Sequence, residues 1–117
     1  MGQAAGIKVA LIEGTVRSIA KKLYGKGPQN VRCTYPGGGV FIVRCEGVLS
    51  PLEKRLADEG GDEAVRTLKK IRYSLFVRER QLLSERLLDQ DIRVETVLQD
   101  FCLVKDECIM VVVTEGY

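Results

Sequence analysis

At 117 residues and a net charge of +2, the chain has the length of one domain and too little charge imbalance to imply a global attraction to nucleic acid or acidic membrane. Apolar residues make up 45% and charged residues 29%, which excludes a disordered chain, and no window approaches the roughly 18 apolar residues that cross a bilayer. Histidine is absent, which removes Ser–His and Cys–His nucleophile pairs, histidine zinc sites and the commonest proton carrier near neutral pH. The expectation is a single domain over residues 1–117 that is not an enzyme.

The opening MGQAAGIKVALIEG holds one lysine and is interrupted by Glu13, so it makes a poor secretion signal. Gly6 stands where an N-myristoylation motif needs Ser or Thr. Cys33, Cys45, Cys102 and Cys108 show no CxxC spacing. Together these features predict a cytoplasmic protein with reduced, buried thiols and no metal or cofactor. A zinc site shared by two hairpins and a redox pair are the lesser readings of the same four residues.

Val9, Ile12, Val16, Ile19, Ala20 and Leu23 recur at helical spacing and predict a first helix, with Glu13 and Arg17 as an exposed pair on its far side. Lys21 and Lys22 suit the negative end of the helix dipole, and Gly25, Gly27 and Pro28 end the element. Next, Val31, Cys33 and Tyr35 alternate with polar residues as a half-buried strand does. Pro36 to Gly39 supply a turn, and the returning strand from Val40 to Cys45 is apolar at the start of both faces, which places it inside the sheet. Ser50-Pro51-Leu52-Glu53 is a capping box opening a short helix, whose Leu52, Leu56 and Ala57 are expected to point inward.

After Gly60-Gly61, Asp62 is expected to cap a long helix reaching about Asp89. Ala64, Leu68, Ile71, Leu75 and Leu82 form one apolar ribbon on it, and Val65, Phe76, Leu83 and Leu87 form a second. Arg72, Glu79 and Arg86 lie in the seam between them, where a charge must be paired or wet. Two ribbons predict packing on two sides, either within the chain or against another subunit. The tail reads as a second hairpin. Ile92, Val94, Thr96 and Leu98 face one side, a bulge is expected near Asp100 and Phe101, and Lys105 to Glu107 turn the chain. Cys108 to Val113 is apolar on both faces, as a central strand is. The predicted fold is α+β in the order α-β-β-α-α-β-β, with one four-stranded antiparallel sheet and helices on one face.

Gly25-Lys26-Gly27-Pro28, then Val31-Arg32, a short hairpin, Gly47-Val48-Leu49-Ser50-Pro51-Leu52-Glu53-Lys54 and an arginine-bearing long helix resemble the MpsC-like family of small bacterial proteins. The family's pattern has Arg where Lys26 stands and Thr where Ser50 stands. By this match Gly25, Gly27, Pro28, Arg32, Gly47, Leu49, Pro51, Glu53 and Arg72 occupy motif positions. The resemblance implies an accessory protein associated with a Na+-translocating, membrane-potential-generating system, and it supplies no catalytic residue.

Candidate binding residues follow from both readings. Gly25, Lys26, Gly27 and Pro28 could converge backbone N–H groups on an anion, although a helix cap leading into a strand accounts for the same residues. Arg32, Glu53, Arg72, Glu79 and Arg86 complete the partner- or anion-binding set, with Arg72 satisfied by a partner carboxylate, an intersubunit ion pair, a bound anion or an internal ion network. Arg66, Lys69, Lys70 and Arg80 form a basic face whose breadth matches an ordinary solvated helix side, and nucleic-acid binding is the weaker alternative there. The functional expectation is a docking module, a homodimer, that meets a protein partner at a membrane complex without inserting into the bilayer. The alternative is a small regulator that binds an anionic ligand or RNA.

Overall fold

The computed structural model describes residues 2–115, with side chains from residue 5 onward. The observed order is α1 (Gly2–Tyr24), β1 (Asn30–Gly37), β2 (Val40–Glu46), α2 (Pro51–Glu59), α3 (Gly61–Leu88), β3 (Val94–Cys102) and β4 (Glu107–Thr114). The predicted α+β architecture is therefore the one found, with a single antiparallel sheet in the order β1-β2-β4-β3. The two apolar strands, β2 and β4, are the central pair, and each hairpin contributes one edge. The α2–α3 connection joins the hairpins.

Ile12, Val16 and Ile19 of α1 meet Phe41, Val43, Met110 and Val112 of the central strands and Phe76, Leu83 and Leu87 of α3 in one core. Alternation along β2 and β4 sends one set of side chains into this core and leaves the opposite face uncovered. In the first hairpin, Gly38 and Gly39 have φ of +64° and +76°, the signature of a two-residue turn that matches strand twist. Pro36 and Gly37 belong to β1 instead, where the register slips between Thr34 and Gly37. Proline is tolerated there because β1 is an edge strand.

Four further sequence expectations need correction. Glu13 is not part of an exposed pair. Its Oε2 accepts the Cys33 backbone N–H at 2.7 Å, satisfying a donor on edge strand β1. Asp62 lies inside α3, whose N-cap is Gly60 with no side-chain cap. The bulge in β3 falls between Val94 and Thr96, not at Asp100, so Val97, Gln99 and Phe101 face the helices while Thr96 and Leu98 face outward. Leu52 and Leu56 are not core residues: α2 has no buried residue, and these two side chains are 67% and 41% exposed.

α3 is one uninterrupted rod, about 42 Å long by the helical rise. Leu68 and Leu82 of one ribbon and Phe76, Leu83 and Leu87 of the other are buried within the chain, against α1, α2 and β3. Among the ribbon residues Ile71, about half exposed, is the one left most open to water.

Candidate docking site around Arg72

The capping box is present with both reciprocal bonds: the Glu53 N–H donates to Ser50 Oγ at 3.2 Å, and the Ser50 N–H donates to Glu53 Oε1 at 3.0 Å. The helix start thus points the Glu53 carboxylate back toward the core side, where α3 presents Arg72. Arg72 Nε and Nη2 donate to the two Glu53 oxygens at 2.8 and 2.7 Å, a bidentate pair. Nη2 also donates to the Val48 carbonyl at 2.8 Å, and the guanidinium lies over the Tyr24 ring, 4.2 Å from its centroid. Arg72 is only 4% exposed, so the seam charge is satisfied inside the chain.

The loop between β2 and α2 is held from two more directions, by Lys26 and by Asp106. Lys26 Nζ donates to the Gly47 and Leu49 carbonyls at 3.3 and 3.2 Å. Asp106, at φ +52° in the β3–β4 turn, accepts the Leu49 N–H at 2.7 Å and pairs with Lys54 at 3.2 Å. Its carbonyl accepts the Gly47 N–H at 2.9 Å. Gly47 has φ +66°, a backbone angle that asks for glycine, while a Cβ there would meet only the movable end of the exposed Gln29 side chain.

Behind this clamp sits a second polar cluster. Tyr24 Oη and Gln99 Nε2 both donate to Glu79 Oε1, at 3.0 and 2.7 Å, and Gln99 Nε2 also approaches Cys108 Sγ at 3.6 Å. Gln99 Oε1 is buried without a hydrogen-bond partner among the described residues. Tyr24 therefore links Arg72, on its ring face, to Glu79, on its hydroxyl. A cavity of about 20 Å³, room for one water, lies among Tyr24, Arg72, Phe76, Glu79 and Cys108. It is too small for an organic ligand.

Burial pushes the Glu79 carboxyl above the usual glutamate range, against the Gln99 and Tyr24 hydrogen bonds and the Arg72 charge. Burial, followed by the Glu79 charge, raises the Tyr24 phenol as well. Glu53 moves the other way. Burial opposes its ionised form, but the Arg72 and Ser50 hydrogen bonds outweigh that and hold its carboxyl low. Arg72 is held fully charged because Glu53 outweighs the effect of burial.

The raised Glu79 carboxyl has a measurable consequence. At neutral pH its ionised form weakens the fold, and that penalty is relieved as pH falls through the raised folded value toward the unfolded value of about 4.3. Glu79→Gln keeps an oxygen for both donors without the charge. In urea unfolding at a series of pH values, wild type should gain stability relative to Glu79→Gln as pH is lowered from 7 to 5. A wild type that loses ground over that interval would mean that the cluster favours the carboxylate.

The remaining sequence candidates are placed as follows. Gly25 caps α1, its N–H donating to the Lys21 carbonyl at 3.0 Å. Lys26 and Pro28 line the small cavity. Arg32 is exposed on β1, in a strand position paired with Arg44, and Arg86 donates to Ser18 Oγ of α1 at 3.0 Å. Of the set, then, Lys26, Pro28, Glu53, Arg72 and Glu79 come together, and Arg32 and Arg86 do not join them. Arg66, Lys69 and Lys70 are exposed with Tyr73 on one open face of α3, while Arg80 is half-buried further along the helix. Sequence reasoning passed over Tyr24, Gln99 and Asp106, which act across long separations and carry no local motif.

Cys33, Cys45 and Cys108 are buried free thiols and Cys102 is an exposed one. Cys45 and Cys108 stand opposite each other across β2 and β4. Burial pushes Cys33 and Cys108 up to about 12 and raises Cys45 too, which keeps all three as unreactive thiols. Among the described residues no group of three or more His, Cys, Asp or Glu side chains is placed to hold a metal ion.

Fold and site together define a small α+β domain in which an arginine on the long helix clamps a capped, outward-facing short helix. The chain belongs to the family described as "MpsC: Na+-translocating membrane potential-generating system (MpsC)", which matches residues 6–116. No curated protein and no solved structure matches the chain. Among the described residues, no helix is long and apolar enough to cross a membrane.

Proposed function

We propose that this protein is a non-enzymatic accessory module that docks on a protein component of a Na+-translocating, membrane-potential-generating system from the cytoplasmic side. The observation that carries the reading is α2: a helix with no buried residue, yet fixed at its N-terminus by Arg72, Asp106 and the capping box. A free helix of nine residues is too short to persist in water, so its order comes from these contacts. Leu52 and Leu56 are thereby presented on a rigid element rather than in the core, and pre-organised apolar side chains lower the entropy cost of binding. The family's association with a membrane system supplies the kind of partner.

The test is a pulldown from a detergent-solubilised membrane fraction, comparing wild type with Leu52→Asp/Leu56→Asp. Both positions are exposed, so the variant should keep its fold and Tm within a few degrees. Wild type should retain integral-membrane subunits of an ion-translocating complex, and the variant should lose at least about tenfold of that signal. Equal retention by both proteins would remove α2 from the docking surface. A second reading, an anionic ligand or RNA held by Arg66, Lys69 and Lys70, is favoured by their shared exposed face on α3. It predicts retention on immobilised RNA that falls steeply with salt, and flat, weak retention would dismiss it.

A further inference from the structure

We propose that the outer side of the helical layer seats on an anionic lipid surface, held there by basic side chains of α1 and α3. The net charge of +2 conceals a strong separation. Helices α1 and α3 carry eleven Lys and Arg against five Asp and Glu, a net of +6. The rest of the chain carries seven against eleven, a net of −4. The molecule is therefore an electric dipole with α1 and α3 as its positive side, and such a field turns that side toward a surface of opposite charge.

Packing fixes which way these charges point. Ile12, Val16 and Ile19 of α1 and Phe76, Leu83 and Leu87 of α3 share one core on the sheet, and Arg86 of α3 meets Ser18 of α1 beside it. Side chains opposite those core residues therefore look away from the sheet, on the same side of the molecule for both helices. On α1, Arg17, Lys21 and Lys22 gather around Gly14, and on α3 Lys70 and Arg78 stand clear of the core; all five are exposed. Among the described residues none of the five is in an ion pair: Arg44–Glu107, Lys54–Asp106 and Arg55–Glu59 lie off these helices, and Arg72–Glu53 is the internal clamp. Of the acids on α1 and α3, Glu13 and Glu79 are engaged in internal hydrogen bonds, and Asp62 and Glu63 sit in the first turn of α3. Glu85 is left on the outer side.

The apolar residues exposed beside these bases decide the class of partner. Ile7 on α1 is 63% exposed, and Val77 and Leu88 on α3 are 51% and 53% exposed. Ile7 and Lys21 stand two heptads apart along one line of α1, and Lys70 and Val77 stand one heptad apart along α3. Aliphatic side chains interleaved with long basic ones suit the boundary between lipid headgroups and acyl chains, where Lys and Arg stems lie on apolar material while their charges reach phosphate. Single-stranded RNA calls instead for free aromatic rings on which bases stack. The rings of these two helices are committed elsewhere: Tyr24 under Arg72, Tyr73 to Asp100 and Phe76 in the core. This surface is distinct from α2, and the inference does not rest on the protein-docking reading above.

The experiment is cosedimentation of the full chain with phosphatidylcholine vesicles that contain about one-third phosphatidylglycerol, set beside vesicles of phosphatidylcholine alone. Wild type should bind the anionic vesicles at low salt, leave them as salt rises toward about 0.5 M, and ignore the neutral ones. Each Lys or Arg near an anionic surface is worth a factor of about five in partitioning, so Arg17→Gln/Lys21→Gln and Lys70→Gln/Arg78→Gln should each lower it about 25-fold. Val77→Ser, which alters no charge, should lower it severalfold. Arg32→Gln/Lys105→Gln removes the same charge from the sheet and the β3–β4 turn and should change partitioning less than about twofold. All these positions are exposed, so circular dichroism should show the wild-type fold for every variant. Binding to neither vesicle, equal binding to both, or an equal loss from Arg32→Gln/Lys105→Gln would overturn the proposal. So would a wild type that ignores anionic vesicles yet is retained on immobilised RNA.

Discussion

Replacing Arg72 with Met should cost about 3 kcal/mol of stability, near the lower end of the 3–5 kcal/mol expected when one member of a buried pair is removed. The lower end applies because Glu53, left behind, keeps 23% side-chain exposure and can recruit water. The loss has three parts: two charge-assisted bonds to Glu53, one to the Val48 carbonyl, and the stacking on Tyr24. At this chain length the change corresponds to a fall in Tm of roughly 10–15 °C. Glu53→Gln retains an oxygen for the Ser50 N–H, so the capping box survives while the ion pair is lost. In urea unfolding, Arg72→Met/Glu53→Gln should therefore lose less than the sum of the two single variants, by at least about 1 kcal/mol. Additive losses would show that the pair is not coupled. Hydrogen exchange should rise in α2 of Arg72→Met, since that helix has no buried side chain to hold it in place.

Much of this arrangement was legible in the residues. The capping box, the central placement of two strands apolar on both faces, and a long helix with charges between apolar ribbons all follow from local spacing. Arg72 could be marked as a buried charge in need of a partner, but the partner could not be chosen. Glu53 was visible as a cap residue, and only the folding of α2 back along α3 turns its carboxylate to the guanidinium. Tyr24 comes from the far end of α1 and Asp106 from a turn in the second hairpin, so neither is recoverable from spacing. The errors share a cause. Leu52 and Leu56 look like core residues because amphipathic spacing reports a helix face, not what covers it. The β3 bulge was placed too late because Glu95 and Thr96 are both polar, and a polar pair hides the residue at which alternation slips. Glu13 looked exposed because a carboxylate serving an edge-strand N–H and one facing water have the same sequence pattern.

Phe76→Ala should be as costly as any single truncation in the chain, about 3–5 kcal/mol. Phe76 is 2% exposed and makes edge-to-face contacts with Tyr73 and Phe101, at centroid distances of 5.5 and 5.4 Å. These rings tie the middle of α3 to edge strand β3, whose Phe101 faces inward only because of the bulge upstream. Phe76 also lines the small cavity beside Glu79 and Arg72, so truncation enlarges that space against a polar wall. An enlarged polar cavity admits water, unlike a purely apolar one. Solvation by that water should weaken the burial that holds the Glu79 carboxyl high. The variant should therefore show two linked changes: a large fall in urea midpoint, and a smaller gain in stability than wild type between pH 7 and pH 5. Phe76→Leu, which fills more of the space, should recover about half of the lost stability and most of the wild-type pH response. A Phe76→Ala protein destabilised as expected but with an unchanged pH response would separate the aromatic contact from the Glu79 cluster and assign Phe76 to packing alone.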